Sequence, residues 1–121
     1  MKEAAHLYGN VAKQISSPRD LEANLLLEAA AKLQAVRDDW GGKRDNLDTA
    51  LRYNRRLWSV FLTSITSNDN PLPKEIRQNV ANLGIFVMKQ TLATIANPKP
   101  EQLGSLISIN REIAGGLLAR P

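Results

Sequence analysis

The sequence predicts an all-α fold, a compact bundle of about five helices with mostly antiparallel neighbours, in a single domain over residues 1–121. Three observations carry the prediction. Apolar residues recur at intervals of three and four in every long segment, and none shows the period of two that marks a half-buried strand. Pro, Gly and runs of Ser, Asn and Asp punctuate the chain between those segments. The connections that remain are roughly 3–7 residues long, which favours antiparallel neighbours.

The first expected helix runs from about Lys2 to Ile15, with Ala4, Leu7, Tyr8, Val11 and Ile15 on one side. The next opens at Ser17-Pro18-Arg19-Asp20. Ser17 can cap, Pro18 suits the first helical position and Asp20 can close a capping box. That helix is expected to reach about Trp40, burying Leu25, Leu26, Ala29, Ala30, Leu33, Val36 and Trp40, and to stop at Gly41-Gly42. Asp45 is expected to cap a third helix that ends in the polar run Thr66–Asn70. A fourth starts near Pro73 and closes at Asn97-Pro98, because a residue before proline disfavours the α region. Pro100 begins the fifth, Glu101 stands favourably in its first turn, and Gly115-Gly116 loosens its last.

The third helix carries an anomaly. Placed at 100° per residue, Leu47, Leu51, Trp58, Phe61 and Ile65 share one narrow arc, yet Asn54 falls in its middle and Arg55 at its edge. An amide in such a stripe must find partners or cost roughly 1–3 kcal/mol. The arrangement recurs in the fifth helix, where Asn110 and Arg111 lie among Leu103, Leu106, Ile107, Ile113, Ala114 and Leu117. Asn54 and Asn110 can tie the structure together, facing one another or capping the loop with Pro71-Leu72-Pro73, or they can serve a partner.

The fourth helix, near 73–97, is apolar over an unusually wide arc. Ile76, Val80, Leu83 and Val87 lie on one side; Ala81, Ile85, Met88, Leu92 and Ile95 continue round it. Such breadth fits the central helix of the bundle or one shared with a partner. Gly84 lies between the arcs, where a missing side chain lets another helix approach. Phe86 projects among Asn79, Asn82 and Lys89, as a contact for the first helix or as an exposed anchor.

Composition narrows the function classes. Hydrophobic residues make up 43% and charged residues 23%, ordinary for a folded soluble domain, and there is no cysteine. That removes disulfides, thiol nucleophiles and Cys-based zinc sites. The amino terminus lacks a signal-peptide pattern and no stretch approaches the roughly 20 apolar residues of a membrane span, so a cytoplasmic protein is expected. The net charge of +4 is dispersed apart from Arg52, Arg55 and Arg56, which permits nucleic-acid binding without demanding it. His6 is the only histidine and has no ligand partner at i+3 or i+4. No serine or threonine has an activating base, no glycine pair has phosphate-loop spacing, and no carboxylates are paired. The expectation is a protein that is not an enzyme and has no cofactor, catalytic or metal site.

Read in order, LDTALRYNRRLWSVFL, NPLPKEIRQNVANLGIFVMKQT and LISINREIAGGL resemble the FlaF family of α-proteobacterial flagellar biosynthesis regulators, and SPRDLEANLLLEAAAKL resembles its second segment. The resemblance extends from about Ala5 to Leu117. It implies a cytoplasmic factor for flagellin production and filament assembly, binding flagellin as an export chaperone alongside the FlbT regulator of flagellin translation. Flagellin's terminal amphipathic helices would then lie against the third to fifth helices. Arg55 and Arg111 at the rim would meet acidic or amide groups of those helices, with Trp58 or Phe86 as aromatic anchor and Asn54, Arg56 and Asn110 as further partner-binding candidates. RNA binding through the arginine cluster, or an adaptor between FlbT and flagellin, are the alternatives.

Overall fold

The computed structural model describes residues 17–42 and 44–119. They form four helices: α1 (Pro18–Asp38), α2 (Arg44–Ile65), α3 (Lys74–Ala96) and α4 (Pro100–Leu118), with no strand among the described residues. The helix expected over Lys2–Ile15, and with it His6, lies outside them.

Local chemistry fixes the ends. Ser17 caps α1, its Oγ accepting from the Asp20 backbone N–H at 3.1 Å, and Pro18 takes the first turn. The helix closes two residues before the expected Trp40: the Asp39 backbone leaves the helical region at φ −122° and ψ 55°, and the Gly42 N–H then bonds Asp39 O. α2 begins at Arg44, so Asp45 stands in its first turn rather than before it. There a carboxylate favours the positive end of the helix dipole. Asn70 organises the α2–α3 connection: its Nδ2 donates to Ser64 O at 3.0 Å and its Oδ1 accepts from Leu72 N–H at 3.0 Å. Arg77 then donates to Ser67 O at 3.2 Å, tying the start of α3 to the end of α2. α4 does not loosen at Gly115-Gly116; it continues to Leu118, and the Ala119 N–H bonds Gly115 O.

Each helix packs against two neighbours in the cyclic order α1, α2, α3, α4. The α1–α4 contact is the most extensive and the α3–α4 contact the slightest. Helices α2 and α4 therefore face one another across a diagonal. Tyr53 of α2 donates to Glu28 of α1, Leu62 of α2 lies over Gly84 of α3, and Gln90 of α3 reaches Gln102 O of α4. The contacts Ser67–Arg77, beside the α2–α3 turn, and Leu62–Gly84, farther from it, run in opposite directions along the two segments, as antiparallel packing requires.

The core joins Leu26 and Leu33 of α1, Leu51, Trp58 and Ile65 of α2, Val87 of α3 and Leu103 and Leu106 of α4. The apolar breadth of α3 does not place it at the centre. Only Val80, Gly84, Val87, Thr91 and Thr94 of that helix are buried. A member of a four-helix ring has one inward stripe to fill, so its second apolar arc is left facing outward.

Candidate functional site

Inside the bundle, α2 and α4 are joined by a directed hydrogen-bond chain. The Trp58 indole Nε1–H donates to Asn110 Oδ1 at 2.8 Å, and Asn110 Nδ2 donates to Asn54 Oδ1 at 2.6 Å. Indole nitrogen only donates, so it sets the orientation of Asn110 and, through it, of Asn54. Asn54 Nδ2 is left buried without a partner. The Phe61 ring meets Trp58 edge to face, 5.4 Å between centroids. Asn54, Trp58 and Asn110 are each 0% exposed. This is a correction to the candidate partner-binding set: groups with no accessible surface cannot touch a partner docked on the folded bundle. The two amides bond one another, with Asn54 Nδ2 left over, while the Pro71-Leu72-Pro73 connection is capped by Asn70.

Arg55, Arg56 and Arg111 are exposed, but Arg55 and Arg111 do not share a rim. Arg55 lies two turns before Leu62, the residue over Gly84, and so stands on the α3 side of α2. Arg111 lies two turns after Gly104, which faces the Arg37 guanidinium of α1. It therefore stands on the α1 side of α4. One partner helix seated between these two arginines, as the sequence suggests, would have to cross the bundle.

The accessible apolar surface is concentrated on α3. Ile85 is 55% exposed, Leu92 56% and Ile95 48%, with Met88 half-buried between them; Phe86 is 43% exposed on a neighbouring face. Contiguous apolar surface of this kind marks interaction sites more often than single exposed side chains do. The site residues chosen from sequence include Phe86 but omit Ile85, Leu92 and Ile95. Their signal is the second apolar arc of the fourth helix, which in sequence fits a central position as well as one shared with a partner.

Two clefts open along α1 and α2. One, of about 460 Å³, lies where Val36 and Trp40 meet Leu47 and Ala50, with Lys32 and Arg44 at its edge. The other, of about 110 Å³, is walled by Leu21, Leu25, Leu57, Val60 and Phe61 and includes Glu22. Burial pushes the Glu22 carboxyl above its usual 4.5, opposed in part by the charge of Arg19. Among the described residues no group of His, Cys, Asp and Glu side chains could hold a metal ion. No described helix is long and apolar enough to cross a membrane.

A family model, flagellar protein FlaF, matches residues 4–117, nearly the whole chain. The chain belongs to the FlaF family of flagellar proteins. No curated protein and no solved structure shows a significant match to it. The FlaF match covers the described helices as far as Leu117, so the buried Asn54–Asn110 pair and the outward stripe of α3 both lie within the family's domain.

Proposed function

We propose that this FlaF protein acts without catalysis, in the cytoplasm, by binding flagellin before export and thereby influencing its synthesis and assembly. The supporting observation is the outward apolar stripe of α3, centred on Ile85, Leu92 and Ile95, in a chain of a flagellar family. An amphipathic terminal helix of flagellin exposes an apolar stripe of its own until the filament forms. Laying one stripe on the other removes both from water by helix-to-helix recognition. The test is co-elution of the purified protein with full-length flagellin and with a copy lacking its terminal helices. Binding of the first alone supports the reading. Equal binding of both, or of neither, removes it.

A second reading, RNA binding in post-transcriptional control with FlbT, draws on the exposure of Arg52, Arg55 and Arg56 together. Affinity for flagellin mRNA would then fall by about one log unit per log unit of salt for each phosphate neutralised. Apolar burial against flagellin depends on salt only weakly. An adaptor role would appear as a three-way complex with FlbT and flagellin on a sizing column.

A further inference from the structure

We propose that the outward face of the α2–α3 pair is a preformed seam for one amphipathic helix whose apolar stripe is flanked by acidic residues. The inference deepens the reading above and rests on it, in that the same α3 stripe is taken to be the docking surface.

The spacing of the stripe is the first argument. Ala81, Ile85, Met88, Leu92 and Ile95 follow one another at intervals of four, three, four and three. That is the interval pattern of a coiled-coil seam, in which each side chain enters a hole between four residues of a facing helix. Fourteen residues separate Ala81 from Ile95, so the seam is about 21 Å long, or roughly four turns. Thr91 and Gly84, on the adjacent side of α3, are buried. They are occupied within the bundle, and the stripe beyond them is left open.

Charge identifies the partner. Between Thr49 and Pro100 the sequence holds seven basic residues against only Asp69 and Glu75, and all but Arg77 of the seven are exposed. Antiparallel packing with Leu62 over Gly84 puts Arg55 level with Thr91, two turns along each helix. Arg55 thus borders Leu92 from the α2 side. Lys89 borders Met88 and Leu92 from the other side, one residue and one turn away respectively. A second copy of this chain would bring these cations against their like, whereas Glu or Asp beside the partner's apolar stripe would pair with them. Complementary flanks of this kind select partners and speed encounter.

The test uses two helix-stapled, labelled peptides of about four turns, with leucines at the same four-three spacing and differing only in Glu or Lys flanks. Binding to the full chain is followed by fluorescence anisotropy. The unmodified protein is expected to prefer the Glu-flanked peptide by about ten-fold, since two exposed charge contacts each contribute up to a few-fold. Arg55→Glu with Lys89→Glu should reverse the preference. Ile85→Ser with Leu92→Ser should abolish binding of both peptides, while Arg111→Glu, on the α1 side, should change neither. Circular dichroism confirms that each variant stays folded, as the exposure of every substituted residue leads one to expect.

Equal affinity for the two peptides overturns the proposal. So does a preference for Glu that survives loss of the stripe, the behaviour of a simple polyanion site for RNA or anionic lipid. Failure of both peptides to bind, as when residues 1–16 or a second copy already cover the face, overturns it too. Flagellin added as competitor separates the two readings. Peptides that bind as expected but are not displaced leave the seam standing and remove flagellin as its occupant.

Discussion

Asn110 of α4 donates through Nδ2 to Asn54 Oδ1 of α2, 2.6 Å away across the diagonal of the bundle. These helices are not packing neighbours, so their polar tie passes through the core. Because Trp58 Nε1 occupies Asn110 Oδ1, Asn110 is paired on both sides and Asn54 on one.

That asymmetry orders the cost of removing each amide. Asn110→Leu strands the indole N–H and the Oδ1 of Asn54, at about 3 kcal/mol or more, since each buried unpaired group costs about 1–3 kcal/mol. Adding Asn54→Leu removes one of the stranded groups together with its existing orphan, Nδ2. The double variant is therefore expected to be more stable than Asn110→Leu alone, by about 1–2 kcal/mol. Urea unfolding of the three proteins measures this. A double variant less stable than the Asn110→Leu single variant would show that Asn54 is held by something other than Asn110.

Gly84 and the glycine pair of α4 should respond oppositely to alanine. A Cβ on Gly84 would lie 2.5 Å from Leu62 Cδ2 and 2.9 Å from its Cγ, whereas nothing lies within 4 Å of one on Gly115 or Gly116. Gly84→Ala forces Leu62 aside and opens the α2–α3 contact. It should destabilise by about 1–3 kcal/mol, despite a helix-propensity gain of about 1 kcal/mol. Gly115→Ala and Gly116→Ala meet no such opposition and should each stabilise by about 0.5–1 kcal/mol. Thermal unfolding distinguishes them, and combining Leu62→Ala with Gly84→Ala should restore part of the loss.

The register of each helix was legible because periodicity fixes which residues share a face. Leu47, Leu51, Trp58, Phe61 and Ile65 are all buried, as their common arc requires, and so are Leu103, Leu106, Ile107, Ala114 and Leu117. The ends were legible to within a residue or two, from Ser17, Gly41, Pro73 and Pro100. What periodicity cannot encode is which neighbour covers a face. Two apolar arcs on α3 are equally compatible with a helix packed on both sides and with one left open on the second. The relation of Arg55 to Arg111 was illegible for the same reason. Each is one residue beyond an inward asparagine, and only the cyclic order of the helices sends them to different seams.

Val87 and Leu92 of α3 test that division of faces directly. Val87 is fully buried and Leu92 is 56% exposed. Val87→Ala should cost about 1–3 kcal/mol, through lost burial and the cavity left behind. Leu92→Ser should stay within about 0.5 kcal/mol of the unmodified protein, as surface substitutions usually do. A large loss of stability on Leu92→Ser in the isolated protein, measured by denaturant unfolding, would mean that the stripe is already covered within the chain or by a second copy. Its availability to another protein would then be refuted.

Glu22 gives the bundle a predictable response to pH. Its carboxyl lies in the apolar cleft between α1 and α2, where desolvation raises its pKa above 4.5 against the weaker opposing charge of Arg19. The folded state therefore holds this proton more tightly than the unfolded chain does. Stability falls wherever the folded state binds the extra proton as pH rises. The contribution from Glu22 is fully present below the unfolded value of 4.5 and is lost as pH climbs through the raised folded one. At neutral pH the half-buried charge is a net cost. Glu22→Gln removes that cost and keeps the shape, so its unfolding midpoint should exceed that of the unmodified protein at pH 7. Near pH 4, where Glu22 is mostly protonated in both states, the two midpoints should converge. A Gln variant that is less stable at pH 7, or equally more stable at both pH values, would show that burial does not govern this carboxyl.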